Sequence, residues 1–289
     1  MCIFNILFMN HLTKIAIVIC YYGKFPWYFD FYLHSVSFNP SVDILIITDL
    51  QRPAYCPDNV HFIKMSMDEV RVLASSKMGF EVKIDHPYKF CDLKPAYGYI
   101  FSDILQSYSF WGIGDIDVIY GNIREFITEE LLSVYDVISV RTEYISAFFC
   151  LFRNIQPINE LFMESRDYIK VFSDSNHFCF DECSNMHTSL TANISVYDID
   201  WEIQSMTYIT KKAHDERRIN ALFEFFVVEG VPGDLKWDMG TLIYNDEWEV
   251  LLYHMFDFKR RAKISPMTFY AIPACYYIKK DRIISNEYE

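Results

Sequence analysis

The sequence contains no C-x-x-C pair, no G-x-x-x-x-G-K-[ST] loop and no G-x-G-x-x-G turn. The first absence leaves its 8 cysteines without a common zinc-finger or redox spacing. The other two remove the usual backbone cradles for phosphates and dinucleotides. Basic residues are in deficit, with 26 Lys and Arg against 39 Asp and Glu and a formal net charge of −13. That balance excludes a general nucleic-acid binder, which needs a basic stripe, so no nucleic-acid partner is expected. It also means that an anionic substrate must be held by a metal or by local Lys and Arg. No apolar run is long enough to span a bilayer. Residues Met1 to Met9 are apolar but short, and they lack the basic start and cleavage site of a signal peptide. A start at Met9 suits the fold better. Cysteines without a secretory signal read as reduced thiols of a cytoplasmic protein. With no repeat, low-complexity tract or Pro/Gly/Ser-rich linker, the expected organisation is one domain over residues 14–289 behind an extension, 1–13.

What is present is apolar and aromatic. Hydrophobic residues are 52% and charged ones 22%, the balance of a chain that folds around a large core. Lys14 to Gly23 and Asp43 to Asp49 are continuous apolar runs, as in parallel strands buried on both faces. Val60 to Lys64 reads as a third strand. Helices are expected from Pro26 to about Ser37 and, capped by Ser66, from Met67 to Met78. The order argues an α/β fold with a mainly parallel central sheet flanked by helices. Asp92 is placed as the N-cap of a helix running to about Gln106, with Pro95 in its first turn. Glu129 to Tyr135 and Ile155 to Ser165 read as helices, Asp136 to Arg141 and Ala147 to Arg153 as strands, and 167–193 as irregular. The C-terminal portion is mixed, with strands over Ala221 to Val228, Gly240 to Tyr244 and Trp248 to His254, then a Tyr-rich segment from Phe269 to Ile284.

The chemistry centres on Phe110 to Asp117, FWGIGDID. In an extended chain Asp115 and Asp117 share a face while Ile116 and Val118 point the other way. Two neighbouring carboxylates repel unless a cation lies between them, and hard oxygens suit Mg²⁺ or Mn²⁺. Gly112 and Gly114 would let a ligand approach the backbone. Open α/β sheets bind ligands beyond the carboxyl ends of their strands, so Tyr22, Gly23, Asp49, Asp115 and Asp117 are expected to converge on one crevice. His177, Cys179, Cys183 and His187 form a further cluster of metal-ligating types, with a spacing that matches no common zinc finger.

Together the segments IVICYYGK (Ile17 to Lys24), PYKFCDLKPAYG (Pro87 to Gly98), FWGIGDID, Phe180 to Glu182 and His254 with Lys259 and Arg260 resemble the GT-A class of nucleotide-sugar glycosyltransferases, which have a Rossmann-like fold. More closely, they resemble a bacterial family of polysaccharide-biosynthesis glycosyltransferases over Lys14 to Pro273. The resemblance implies a hexose passed from a nucleotide-sugar donor, a UDP-sugar for preference, to a glycan or lipid-linked glycan of capsule, lipopolysaccharide or exopolysaccharide. It implies peripheral association with the inner face of the membrane. Asp117 would ligate the metal, and Asp115 would share it or reach the ribose. His254 would complete the shell, favouring Mn²⁺ over Mg²⁺; a buried structural histidine is the alternative. Lys259, Arg260 and Arg261 would clamp the diphosphate, unless they are a solvated surface run. Tyr21 and Tyr22 would stack the base, and Asp49 would accept from uracil or ribose. The family pattern puts Asp92 and Lys94 beside the donor sugar, and Asp181 and Glu182 on the acceptor side, where an inverting reaction would use one as general base. The rival readings are a Mg²⁺-dependent nucleotidyl- or phosphotransferase and a non-catalytic carbohydrate-binding protein.

Overall fold

The computed structural model describes residues 12–230, 232–262 and 272–285. Its centre is a seven-stranded sheet in the order β3-β2-β1-β4-β7-β6-β8. These strands are β1 (Ile15–Cys20), β2 (Val42–Thr48), β3 (Val60–Lys64), β4 (Phe110–Gly114), β6 (Val137–Ser139), β7 (Phe149–Arg153) and β8 (Ala221–Phe223). β3, β2, β1 and β4 run parallel, β7 is antiparallel to both its neighbours, and β6 and β8 are again parallel. This is the mixed α/β, mostly parallel sheet expected of a Rossmann-like fold.

The apolar runs of β1 and β2 are explained by burial of both faces. Ala16, Val18, Leu45 and Ile47 belong to one core with helix α2 (Met67–Met78), whereas Ile15, Ile17, Ile44 and Ile46 face the other with helix α1 (Phe29–Ser37). Helix α2 begins as the sequence predicts: Ser66 and Glu69 exchange the two hydrogen bonds of a capping box. The glycines of β4 serve this packing and not ligand approach. A Cβ on Gly112 would lie 2.6 Å from Leu151, and one on Gly114 would lie 2.7 Å from Ile17.

Two smaller sheets follow. β10 (Leu235–Asp238), β11 (Thr241–Tyr244), β12 (Trp248–Glu249), β14 (Cys275–Ile278) and β15 (Ile283–Ile284) form an antiparallel sheet. The other contains β5 (Val118–Tyr120), β13 (Leu252–His254) and β9 (Val227–Glu229), with β13 in the middle. The expected strands Ala221 to Val228 and Trp248 to His254 are therefore each broken and shared between sheets. The reason is geometric, since one apolar run crosses from one sheet to the next and its pattern carries no mark of the crossing.

Other expectations are corrected. Pro87 to Leu105 is a chain of short helical turns, Pro87–Lys89, Phe90–Leu93, Lys94–Ala96, Tyr97–Ile100 and Ser102–Leu105, with Asp92 inside one turn and not at an N-cap. Ile155 to Ser165 is likewise divided, and residues 167–193 contain helices at Tyr168–Ser173 and His187–Thr191. The helix Met206–Asp215 was not expected from the sequence at all. Residues 1–11 of the N-terminal extension and 269–271 of the Tyr-rich segment lie outside the described residues. Among the described residues no helix is long and apolar enough to cross a membrane.

Candidate functional site

Beyond the carboxyl ends of β1 and β4 lies a cavity of about 370 Å³. Asp115 follows β4 directly, and Asp117 precedes β5. β13 then pairs antiparallel with β5, placing His254 opposite Val118, and the Met255 amide donates to the Asp117 carbonyl at 2.8 Å. β9 pairs with the other side of β13, placing Glu229 opposite His254. Residues far apart in sequence thus meet through strand register.

Donor atoms of Asp115, Asp117 and His254 all lie within 4.8 Å of one another. Lys94 Nζ is 2.6 Å from Asp115 Oδ1 and donates to the Ala147 carbonyl at 3.0 Å. Asp117 is paired with Lys259, and its Oδ2 is 3.6 Å from His254 Nε2. His254 Nδ1 is 3.0 Å from Glu229 Oε1, and Glu229 pairs in turn with Arg141. The ring of His254 stacks on Phe148 at 4.2 Å. Burial alone would raise the Asp117 carboxyl, but His254 and Lys259 outweigh it and hold Asp117 well below the usual range. Burial would likewise keep the His254 ring neutral, yet the neighbouring Asp117 and Glu229 carboxylates push it up to about 9. Carboxylate oxygens and one imidazole are a donor set of the kind that suits a divalent ion such as Mn²⁺ or Mg²⁺.

Asp181 and Glu182 line the same cavity. The Asp181 carboxyl is 2% exposed and accepts no hydrogen bond from the described residues. Burial pushes its pKa well above the usual carboxylate range despite the nearby Lys94. Glu182 behaves oppositely. Burial would raise it, but His187 at 3.0 Å and the Ala147 amide at 3.3 Å keep it low. The two neighbouring acids are therefore shifted in opposite directions.

Of the remaining expected residues, Tyr21, Tyr22, Lys94, Lys259 and Arg260 line the cavity. Tyr22 is packed on Phe90 and donates to the Met65 carbonyl at 3.0 Å, while Tyr21 stacks on Phe25. Arg260 lies 4.2 Å over the Phe256 ring. Gly23 and Asp49 follow the ends of β1 and β2, and neither is among the cavity's lining residues. Asp92 is withdrawn from the cavity and fully buried. It accepts from the Phe178 and Phe180 amides, both at 3.0 Å, and pairs with Lys89 at 2.9 Å. Its carboxylate ties the loop before Asp181 to the segment that carries Lys94. Sequence reasoning missed Glu229, Arg141, Tyr88 and Phe148. Nothing local marks them, because each is placed by pairing with a distant element.

The model of a family of unknown function (DUF6625) matches residues 17–287. No curated protein matches the sequence. Among solved structures the chain is similar to the galactosyltransferase LgtC, crystallised with donor and acceptor sugar analogues, at 10% identity and a TM-score of 0.33. The match covers 56% of this chain and 66% of that one, just under two thirds of its length.

Proposed function

We propose that this chain, which belongs to a family of unknown function (DUF6625), is a metal-dependent glycosyltransferase that takes a sugar from a nucleotide diphosphate donor. The observation that carries the reading is the meeting of Asp115, Asp117 and His254 beyond the strand ends, in one cavity with Lys259 and Arg260. Carboxylates repel a diphosphate directly, so a site that combines acids with nearby cations suits a ligand delivered with its own divalent ion. Bound there, Mn²⁺ would offset the negative charge that grows on the departing diphosphate.

The chain's own residues divide the remaining tasks. Lys259 and Arg260 take phosphate oxygens, and Glu229 orients the His254 ring. Lys94 holds Asp115 in place. Asp181, which lines the cavity, is the acceptor-side carboxyl of this reading, facing the hydroxyls of a sugar. A uridine diphosphate sugar as donor and a surface glycan as acceptor are the specific version of this reading.

The test is a thermal-shift screen of nucleotide sugars with and without Mn²⁺, followed by measurement of released nucleoside diphosphate. Mn²⁺-dependent stabilisation by one donor, with its slow turnover, is the expected result. Stabilisation by a free glycan with no response to any nucleotide sugar would replace this reading with a carbohydrate-binding one.

A further inference from the structure

We propose that Cys179, Glu182 and His187 bind a zinc ion that holds the loop carrying Asp181. The proposal goes beyond the transferase reading and does not depend on it. Cys179 Sγ lies 3.6 Å from Glu182 Oε2, and His187 Nε2 lies 3.0 Å from the same oxygen. The three donor atoms all fall within 4.8 Å of one another. Tetrahedral zinc, with bonds of about 2.0 to 2.3 Å, separates its ligand atoms by about 3.3 to 3.8 Å. The side chains therefore need only small shifts to surround an ion.

The chemistry of this set differs from that of the Asp115 site. A thiolate, an imidazole and a carboxylate suit zinc, whereas two carboxylates beside a diphosphate suit a harder ion. Three protein ligands leave the fourth position to water. His177, which the sequence groups with these residues, is not part of the set. Its ring packs on Tyr88 at 4.4 Å and faces Asp92 instead, so Glu182 takes the place expected of it.

The backbone converges on the same point. Cys179, Ser184 and Asn185 have positive φ values of 53°, 47° and 65°, and the Ser184 amide closes the turn on the Cys179 carbonyl at 2.7 Å. Such conformations are unfavourable for residues other than glycine and persist where the surroundings impose them. Here they bring positions 179, 182 and 187 to one place. Metal binding would release the Cys179 thiol proton and the proton shared by His187 and Glu182, leaving the groups as zinc ligands. Half-buried His187 gives the ion a route from solvent.

The experiment is a Co²⁺ titration of the reduced, metal-stripped full chain, read by absorption, because only a thiolate ligand produces the sulfur-to-cobalt charge-transfer band. One equivalent is expected to develop the band together with tetrahedral d–d absorption, and one equivalent of Zn²⁺ to abolish both. Cys179→Ser should lose the band, His187→Gln should weaken Co²⁺ binding by about tenfold or more, and Asp117→Ala should retain both properties. Absence of the band in the unaltered protein overturns the proposal, whatever the variants do. So does its persistence in Cys179→Ser or its loss in a folded Asp117→Ala protein. Failure of nucleotide-sugar binding in the separate screen would leave this result untouched.

Discussion

His254 Nδ1 and Glu229 Oε1 lie 3.0 Å apart, joined by the parallel pairing of β13 with β9. The contact directs the other ring nitrogen, Nε2, towards Asp117, from which it is 3.6 Å away. A histidine held this way by a carboxylate presents a fixed nitrogen to a cation. Glu229→Gln is therefore expected to weaken Mn²⁺ affinity by about 10- to 100-fold, with little change in melting temperature. Calorimetric titration of Mn²⁺ into both proteins checks this. Equal affinities would reduce Glu229 to a structural partner of Arg141.

Asp117 has only 6% of its surface exposed, but it sits at a strand end and contacts groups that border the cavity. Asp117→Ala should abolish Mn²⁺-dependent stabilisation by a nucleoside diphosphate and preserve the far-ultraviolet circular dichroism of the parent. A variant that still responds to donor and Mn²⁺ as the parent does would remove the ion from this site.

Asp92 has a different role. The side chains of Asp92 and Lys89 are both 0% exposed, and the carboxylate also satisfies two backbone amides. Asp92→Ala strands a buried ammonium group as well as those amides, and should cost about 3–5 kcal/mol of stability. Urea unfolding measures the cost directly. A variant as stable as the parent, but inactive, would return Asp92 to the chemistry.

His34 makes the stability depend on pH. Burial against Trp237, 4.8 Å between ring centres, lowers its pKa from the ordinary 6.5, with a hydrogen bond at Pro273 opposing. The folded state thus binds this proton less readily than the unfolded chain. Its contribution to stability is fully present above pH 6.5 and is lost as the pH falls through the folded value. Urea unfolding between pH 8 and pH 5, on the order of one step to each side of 6.5, should show a fall in stability that His34→Gln makes shallower. Parallel profiles for the two proteins would count against this origin.

Much of the scaffold was legible because its signals are local. β1 and β2 declare themselves as unbroken apolar runs, and α2 carries its own capping box and a terminal glycine, Gly79, at φ +77°. The acid-x-acid step at Asp115 and Asp117 was visible for the same reason, lying where an apolar strand stops. Asp92 was misread because an acid before Pro95 has the look of a cap, while its real partners are the amides of residues 178 and 180. Gly112 and Gly114 were misread similarly, since a glycine kept small for a ligand and one kept small for Leu151 or Ile17 are the same letter.

The sequence by itself determined where buried strands run and where two carboxylates stand together, because hydrophobic runs, capping and side-chain alternation act over a few residues. Tertiary structure alone decided that Lys94 would meet Asp115, that Glu229 would orient His254, and that Asp181 would be buried while Glu182 found a cation. Those outcomes depend on the register of β13 between β5 and β9 and on a loop pinned by the Lys89–Asp92 pair. The strand register and the bonds from Asp92 to the amides of residues 178 and 180 join residues far apart in sequence, and only the folded chain supplies the proximity and the burial that set their charges.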